Sequence, residues 1–287
     1  STRSNAWSKH LHPAEMPLMV DYGADSFIIA LDPTLRTIVS STLIGGSRDD
    51  YAYQLGTDSK GNIIVAGNTG SSDYPTTRTT PTSTGLTPNF SNIFVSIFSP
   101  DLSTLVDSML WGSPTSDYFG AMHAIDNGEI HLCGHTTSNA FPVTADFATT
   151  DMKGGHYEAW YAQLDENLKQ VERATYIGGA NNDFCNAITV MDDYSVVMAL
   201  NTNSPELMGE NTQYPGNRVQ GGLIVRLPGQ RSSVQQDQAV EILAALRSSS
   251  YTAIRDIFTD GNSIWVTGVS SAGVSGQFTS IGKATPN

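Results

Sequence analysis

The chain repeats itself. The run LIGGSRDDYAYQLGTDSKGNIIVAGNTG, which begins at Leu43, returns as LWGSPTSDYFGAMHAIDNGEIHLCGHT, as YIGGANNDFCNAITVMDDYSVVMALNT and, more faintly, as LAALRSSSYTAIRDIFTDGNSIWVTGVS. Taken as equivalents, Tyr51, Tyr118, Phe184 and Tyr251 stand 67, 66 and 67 residues apart, so the array admits almost no insertion. A second block keeps the phase: SFIIALDP, NIFVSIFSP, AWYAQLDEN and GLIVRLPGQ, with a weaker fifth copy in GQFTSIGKA. Its Leu31, Phe98, Leu164 and Leu227 are 67, 66 and 63 residues apart. A period of this kind restricts the fold to like supersecondary units, each packed on its neighbours.

Each unit holds four short runs, typified by FIIALD, TIVSSTLIG, AYQLGTD and NIIVAGNT and designated a, b, c and d. They are rich in Ile, Val, Tyr, Phe and Thr and bounded by Gly, Pro, Asn, Asp and Ser, the signature of strands. Between c and d lie DSKGN, DNG and DGN in the first, second and fourth copies, residues that tolerate positive φ in a tight hairpin. The third copy has DDYS and is expected to turn more loosely or with distortion. Four strands in each of four successive copies predict an all-β fold, a β-propeller of about four recognisable four-stranded blades. Blades are covered on both faces, which accounts for continuous apolar runs such as NIIVAG and IFVSIF. Thr-, Pro- and Ser-rich segments such as SSDYPTTRTTPTSTGLTPNFS read as surface loops. QQDQAVEILAALR is helix-compatible but occupies the place of an outermost strand and is assigned as one. Residues 25–287 are expected to form one domain, with residues 1–24 an unassigned N-terminal segment. The chain starts in an a run and ends after another, so its terminal strands are expected to overlap at a seam and remove an exposed edge.

With 28 acidic against 15 basic residues the net charge is −13, which repels phosphate backbones and anionic lipid, so nucleic acid is excluded as a partner. No run approaches the ~20 apolar residues that cross a bilayer, so membrane insertion is not expected. The first residue is not Met, which reads as processing or excision from a longer polypeptide. Cys133 and Cys185 sit in apolar contexts where small buried thiols are the commoner finding, and a single bridge is the alternative.

The first copy, with LDPTL and STLIGGSRDDYAYQLGTDSKGNIIVAGNTGSSDYP, resembles the SBBP family of bacterial β-propeller repeats nearly position by position. The second and third copies keep YIGG or LWG, the Asp-aromatic pair and the His-Thr or Asn-Thr ending, whereas the fourth has lost the glycines and the acidic pair. The resemblance runs from about Ser26 to Ser270. It implies a secreted or surface-exposed repeat module, and it brings no catalytic residue with it.

Asp50, Asp117 and Asp183 precede equivalent c strands. Three carboxylates on one rim could hold a hard cation such as calcium. The other reading is that each closes a turn by accepting backbone N–H bonds. His131, Cys133 and His135 alternate along one strand and could coordinate zinc or copper, but their first-copy counterparts Ile64, Ala66 and Asn68 place them among core positions. Glu129, Glu158 and Asp165 are the unrepeated acids, and no hydrolase, Walker or dinucleotide signature nominates a catalytic group. Tyr74, Phe141, Tyr157 and Tyr214 lie in the long loops; they could meet glycans or proteins, although Tyr74-Pro75 and Phe141-Pro142 suit pinning a loop to a blade. The resulting expectation is a non-catalytic, secreted or cell-surface module that binds proteins or glycans within a larger assembly and takes no cofactor other than calcium. The alternatives are a polysaccharide-active enzyme with acids in a central funnel and a calcium-stabilised structural repeat.

Overall fold

The computed structural model describes residues 23–77, 90–144, 151–208, 221–229, 240–247, 251–261, 263–271 and 273–278. Tyr214, most of the N-terminal segment and the first half of QQDQAVEILAALR lie outside the described residues.

The strands fall where the repeat places them: β1 (Ser26–Leu31), β2 (Ile38–Ile44), β3 (Asp50–Thr57), β4 (Ile63–Thr69), β5 (Asn92–Phe98), β6 (Leu105–Trp111), β7 (Asp117–Ala124), β8 (Ile130–Thr136) and β9 (Glu158–Leu164). There follow β10 (Val171–Ile177), β11 (Asp183–Val190), β12 (Val196–Thr202), β13 (Gly221–Leu227), β14 (Glu241–Arg247), β15 (Thr252–Thr259), β16 (Ile264–Ser270) and β17 (Ser275–Phe278). EILAALR is thus a strand despite its helical composition, because its alternate partners β13 and β17 bind both its edges.

Pairing crosses the sequence repeat. Strands c and d of one copy join a and b of the next, giving the antiparallel orders β3-β4-β5-β6, β7-β8-β9-β10 and β11-β12-β13-β14-β17. This leaves an a–b pair, β1-β2, at one end of the sequence and a c–d pair, β15-β16, at the other, each a two-stranded sheet. Among the described residues β1 pairs with β2 alone. β17, the fifth a run, adds to the free edge of β14, through Ala244 with Phe278 to Arg247 with Ser275. All-β architecture with several four-stranded antiparallel sheets is the make-up of propeller blades.

By the density of their contacts the described residues fall into two compact units. One comprises the described residues up to Phe119 with Ala124–Glu129 and Asp165–Gln170, and the other Gly120–His123, Ile130–Leu164 and the described residues from Val171 onward. The division passes through β7, inside a repeat. In the first unit Val65, Phe94, Phe98 and Leu110 of one sheet pack with Ile28 and Ile44 of β1-β2. In the second, Val197, Ala199 and Ile224 of the third sheet pack with Ile254 and Ile257 of β15, so one sheet's face covers the next.

Two turns recur with a positive φ. The c–d turn places Gly61, Gly128 and Gly261 at φ of 79°, 94° and 84°. In the third copy Tyr194 takes the same conformation, at 63°, and the turn closes as elsewhere, with Met191 N–H donating to Ser195 O and Tyr194 N–H to Met191 O. The loosening expected there is absent; instead a tyrosine bears the backbone strain, helped by Asp193 Oδ1, which accepts the Ser195 N–H and hydroxyl. In the a–b turn the left-handed residue is a leucine in three copies, Leu35, Leu102 and Leu168. Burial of Leu102 and Leu168 offsets the strain.

Candidate functional site

Asp50, Asp117 and Asp183 are all buried and each opens an inner-edge strand. In every case one carboxylate oxygen accepts the backbone N–H four residues earlier: Gly46 at 2.7 Å, Ser113 at 2.5 Å and Gly179 at 2.8 Å. That oxygen also accepts a serine hydroxyl, from Ser71, Ser113 and Ser204 respectively. Ser71 and Ser204 belong to the loop after the d strand, so this aspartate ties the turn before c to the segment after d. A charge that accepts several such bonds is a structural clasp. The turn-closing reading of these three residues is therefore the one the geometry carries, and among the described residues no group of three or more His, Cys, Asp or Glu is placed to hold a metal ion.

The fourth clasp position is Thr252, not Ser250. Aligning Tyr251 with Tyr51 puts Ser250 at the aspartate's place, but strand register pairs Asp50 with Thr69, Asp183 with Thr202 and Thr252 with Ser270. Thr252 is the equivalent, and its hydroxyl lies 3.4 Å from that of Ser270. Leu246, which pairs with Gly222 as Ile44 pairs with Ser26, precedes Thr252 by the same six residues that separate Ile44 from Asp50, so the offset arises upstream of this turn.

A buried carboxyl pair lies beside the clasp of the second unit. Glu158, the first residue of β9, is fully buried, and neither of its oxygens has a well-directed hydrogen-bond partner. A methyl added at Gly178 would meet Glu158 Oε1 at 2.3 Å and Asp183 Oδ2 at 2.6 Å, so both acids face the same point. Burial, then the charge of Asp183, raises the Glu158 carboxyl to about 8, tempered by the nearby amides of Gly154 and Lys153 and the Lys153 charge. Burial raises Asp183 to about 6, against the hydrogen bonds from Thr202, Gly179 and Ser204. Sequence reasoning named both residues without joining them. The signal was present in the register: Asp25, Asn92 and Glu158 precede or open the a strands, and each sits by the first residue of the b–c turn, Gly45, Gly112 and Gly178.

The alternating His131, Cys133 and His135 are built into the core. His131 Nδ1 lies 2.9 Å from the Tyr161 hydroxyl. Cys133 and Cys185 form a disulfide with Cα atoms 5.8 Å apart, joining β8 to β11; the expectation of free thiols is corrected, because packing of sheet on sheet brings these strands face to face. His135 packs edge-on against Phe184 and Tyr157, at 4.9 and 5.5 Å between ring centroids, and burial lowers it to about 4. At the equivalent place Asn68 and Asn201 bridge sheets instead: Asn201 Oδ1 accepts Ile254 N–H and its amide donates to Ile254 O, while Asn68 does the same with Phe119 N–H and Asp117 O.

Of the loop aromatics, Tyr74 is buried against Phe94 and Phe141 against Trp160, so both pin their loops. Tyr157 joins the cluster around His135. Asp165, expected to be unrepeated, caps the a–b turn through the N–H groups of Lys169 and Gln170 as Asp32 does through those of Arg36 and Thr37, so it is a repeated turn residue. The exposed apolar surface lies elsewhere. The inner d strands β4, β8 and β12 are almost wholly buried, whereas β16 is exposed from Trp265 to Val269. Trp265 and Phe258 of the second unit are 59% and 61% exposed, and in the first unit Phe27 and Tyr53 reach 66% and 61% beside exposed Val39, Tyr51 and Leu55.

These sheets carry a recognised repeat. Residues 41–75 match the family model of the SBBP β-propeller repeat. In the structure the matched SBBP segment is the end of β2, the Asp50 clasp, the β3-β4 hairpin and the Ser71–Tyr74 anchor. No curated protein matches the chain.

Proposed function

We propose that this SBBP repeat domain is a non-catalytic binding or assembly module of a secreted or cell-surface structure, engaging proteins or glycans. The observation that carries the reading is the exposure of large apolar side chains: Phe27, whose counterparts Phe94 and Trp160 are buried; Trp265, whose counterparts Ile64, His131 and Val197 are buried; Phe258, paired to Trp265 on β15-β16; and Tyr51 and Tyr53 on β3. Clustered apolar surface of this kind marks contact with another macromolecule. The Cys133–Cys185 disulfide agrees with an oxidising compartment. Glu158 and Asp183, the acid pair most strongly shifted among the described residues, are buried and offer a substrate no approach.

The test compares the parent protein with Phe258→Ser/Trp265→Ser and Tyr51→Ser/Tyr53→Ser in retention on bacterial cell walls and on a polysaccharide and glycoprotein panel. The expected result is retention by the parent, at least tenfold loss in one double variant, and no product release from any glycan. Glycan turnover abolished by Glu158→Gln would overturn the reading in favour of an enzyme, and equal retention by all three proteins would remove the assigned surface.

A further inference from the structure

The Asp183 clasp differs from the Asp117 clasp in one respect. Beside Gly112, the group facing Asp117 is the neutral amide of Asn92, whose Oδ1 would lie 2.9 Å from an added methyl; beside Gly178, the group facing Asp183 is the carboxyl of Glu158. The surroundings provide little to balance two negative charges. The loop before β9 contributes Lys153, which is exposed, and the 3₁₀ turn Pro205–Met208 contributes a further acid, Glu206, which bonds the Ala180 N–H. β8 presents Thr136 opposite Glu158, and β12 presents Thr202 opposite Asp183, both neutral. Asp183 Oδ2 is occupied by Gly179 N–H and the Ser204 hydroxyl, whereas Asp183 Oδ1 and both Glu158 oxygens lack well-directed donors. Two buried carboxylates facing one point cannot both ionise cheaply, and a single proton between Glu158 Oε1 and Asp183 Oδ2, the atoms nearest that point, removes one of the two charges.

We propose that Glu158 and Asp183 share one proton in the folded protein, with the Glu158 O–H donating to Asp183, and that its release to solvent unlatches the Gly178–Asp183 turn and the Lys153–Tyr157 loop. The structure thereby contains a latch that holds at mildly acidic pH and loosens in alkaline surroundings. The sign follows from linkage. With the carboxyls at about 8 and about 6 when closed and near ordinary values when open, opening between pH 6 and 8 releases one proton, so the opening constant rises about tenfold per pH unit and levels off above 8.

The experiment measures amide hydrogen exchange at residues 153–157 and 178–183 from pH 5 to 9, corrected for intrinsic base catalysis, in the parent and in Glu158→Gln, which reproduces the neutral group of the Asn92 site. Carbon-13 carboxyl shifts of the parent are followed over the same range. The proposal expects a rise of roughly a hundredfold in opening from pH 6 to 8 in the parent, a flat profile in Glu158→Gln, and a Glu158 carboxyl titrating far above 4.5. An ordinary Glu158 titration near 4.5 would overturn it even if the variant failed to fold. So would parallel profiles in the two proteins, or abolition of the parent's pH dependence by millimolar calcium, which would assign the pair to a cation.

Discussion

Replacing both cysteines, Cys133→Ala with Cys185→Ala, tests how far the covalent link between β8 and β11 supports the second unit. The bridge spans 52 residues. Loop-closure entropy for that length gives about 4 kcal/mol at 25 °C, in the usual range for native bridges. Both residues are buried, so the thiols are exchanged for methyl groups in contact with core atoms, and the packing change is small beside the loss of the cross-link. The assay is native-state hydrogen exchange at the amides of β8, β11 and β12, read in the oxidised parent, the parent with reductant and the double variant. About 4 kcal/mol corresponds to a roughly thousandfold loss of protection for amides that exchange through opening of this unit. Reduction and substitution should agree within a factor of about ten. A loss below tenfold would refute the reasoning, since it would mean that the bridge does not restrict the unfolded chain as loop-closure entropy requires.

Tyr194→Gly removes a left-handed tyrosine from a turn that is glycine in three other copies, and should raise stability by about 1 kcal/mol in urea unfolding. Asn201→Ala leaves the Ile254 N–H without its acceptor in a buried seam and the Ile254 carbonyl with only the longer Asn186 amide bond, and should cost about 2 kcal/mol, read as a fall in unfolding midpoint. Asp50→Ala orphans the Gly46 N–H and the Ser71 hydroxyl and should cost a similar amount, whereas Asp50→Asn, which keeps an acceptor, should cost about half as much. Raising the pH from 6 to 8 should lower the melting temperature of the parent, because the folded carboxyls of Glu158 and Asp183 lie above their unfolded values; Glu158→Gln should show the weaker dependence by scanning calorimetry.

The strands and their order along the chain were legible because a 67-residue phase and the Gly/Asp turn chemistry agree at each copy, and that agreement survives the helical composition of EILAALR. The clasp role of Asp50, Asp117 and Asp183 was legible for the same reason. Three features were not. The place of Thr252 depends on which residues share a rung, and the fourth copy, which has lost the glycines and the acidic pair, offers no landmark to fix its alignment. The disulfide depends on the distance between strands in successive sheets, which a period does not encode. The carboxyl pair joins residues 25 apart from different phases of the repeat, and only the bare Cα of Gly178 allows them to approach. Tyr194 shows the converse: the sequence breaks the turn rule, and the surrounding hairpin imposes the conformation regardless.

The account rests on sheets assembled from c and d of one copy with a and b of the next. Cross-strand nuclear Overhauser effects in the third sheet test this most directly. The predicted result is contact between the backbones of Leu200 and Leu223, of Met198 and Val225, and of Ile224 and Ala244. Pairing of β11 and β12 with β9 and β10 of their own copy, or helical sequential contacts along 241–247, would contradict it.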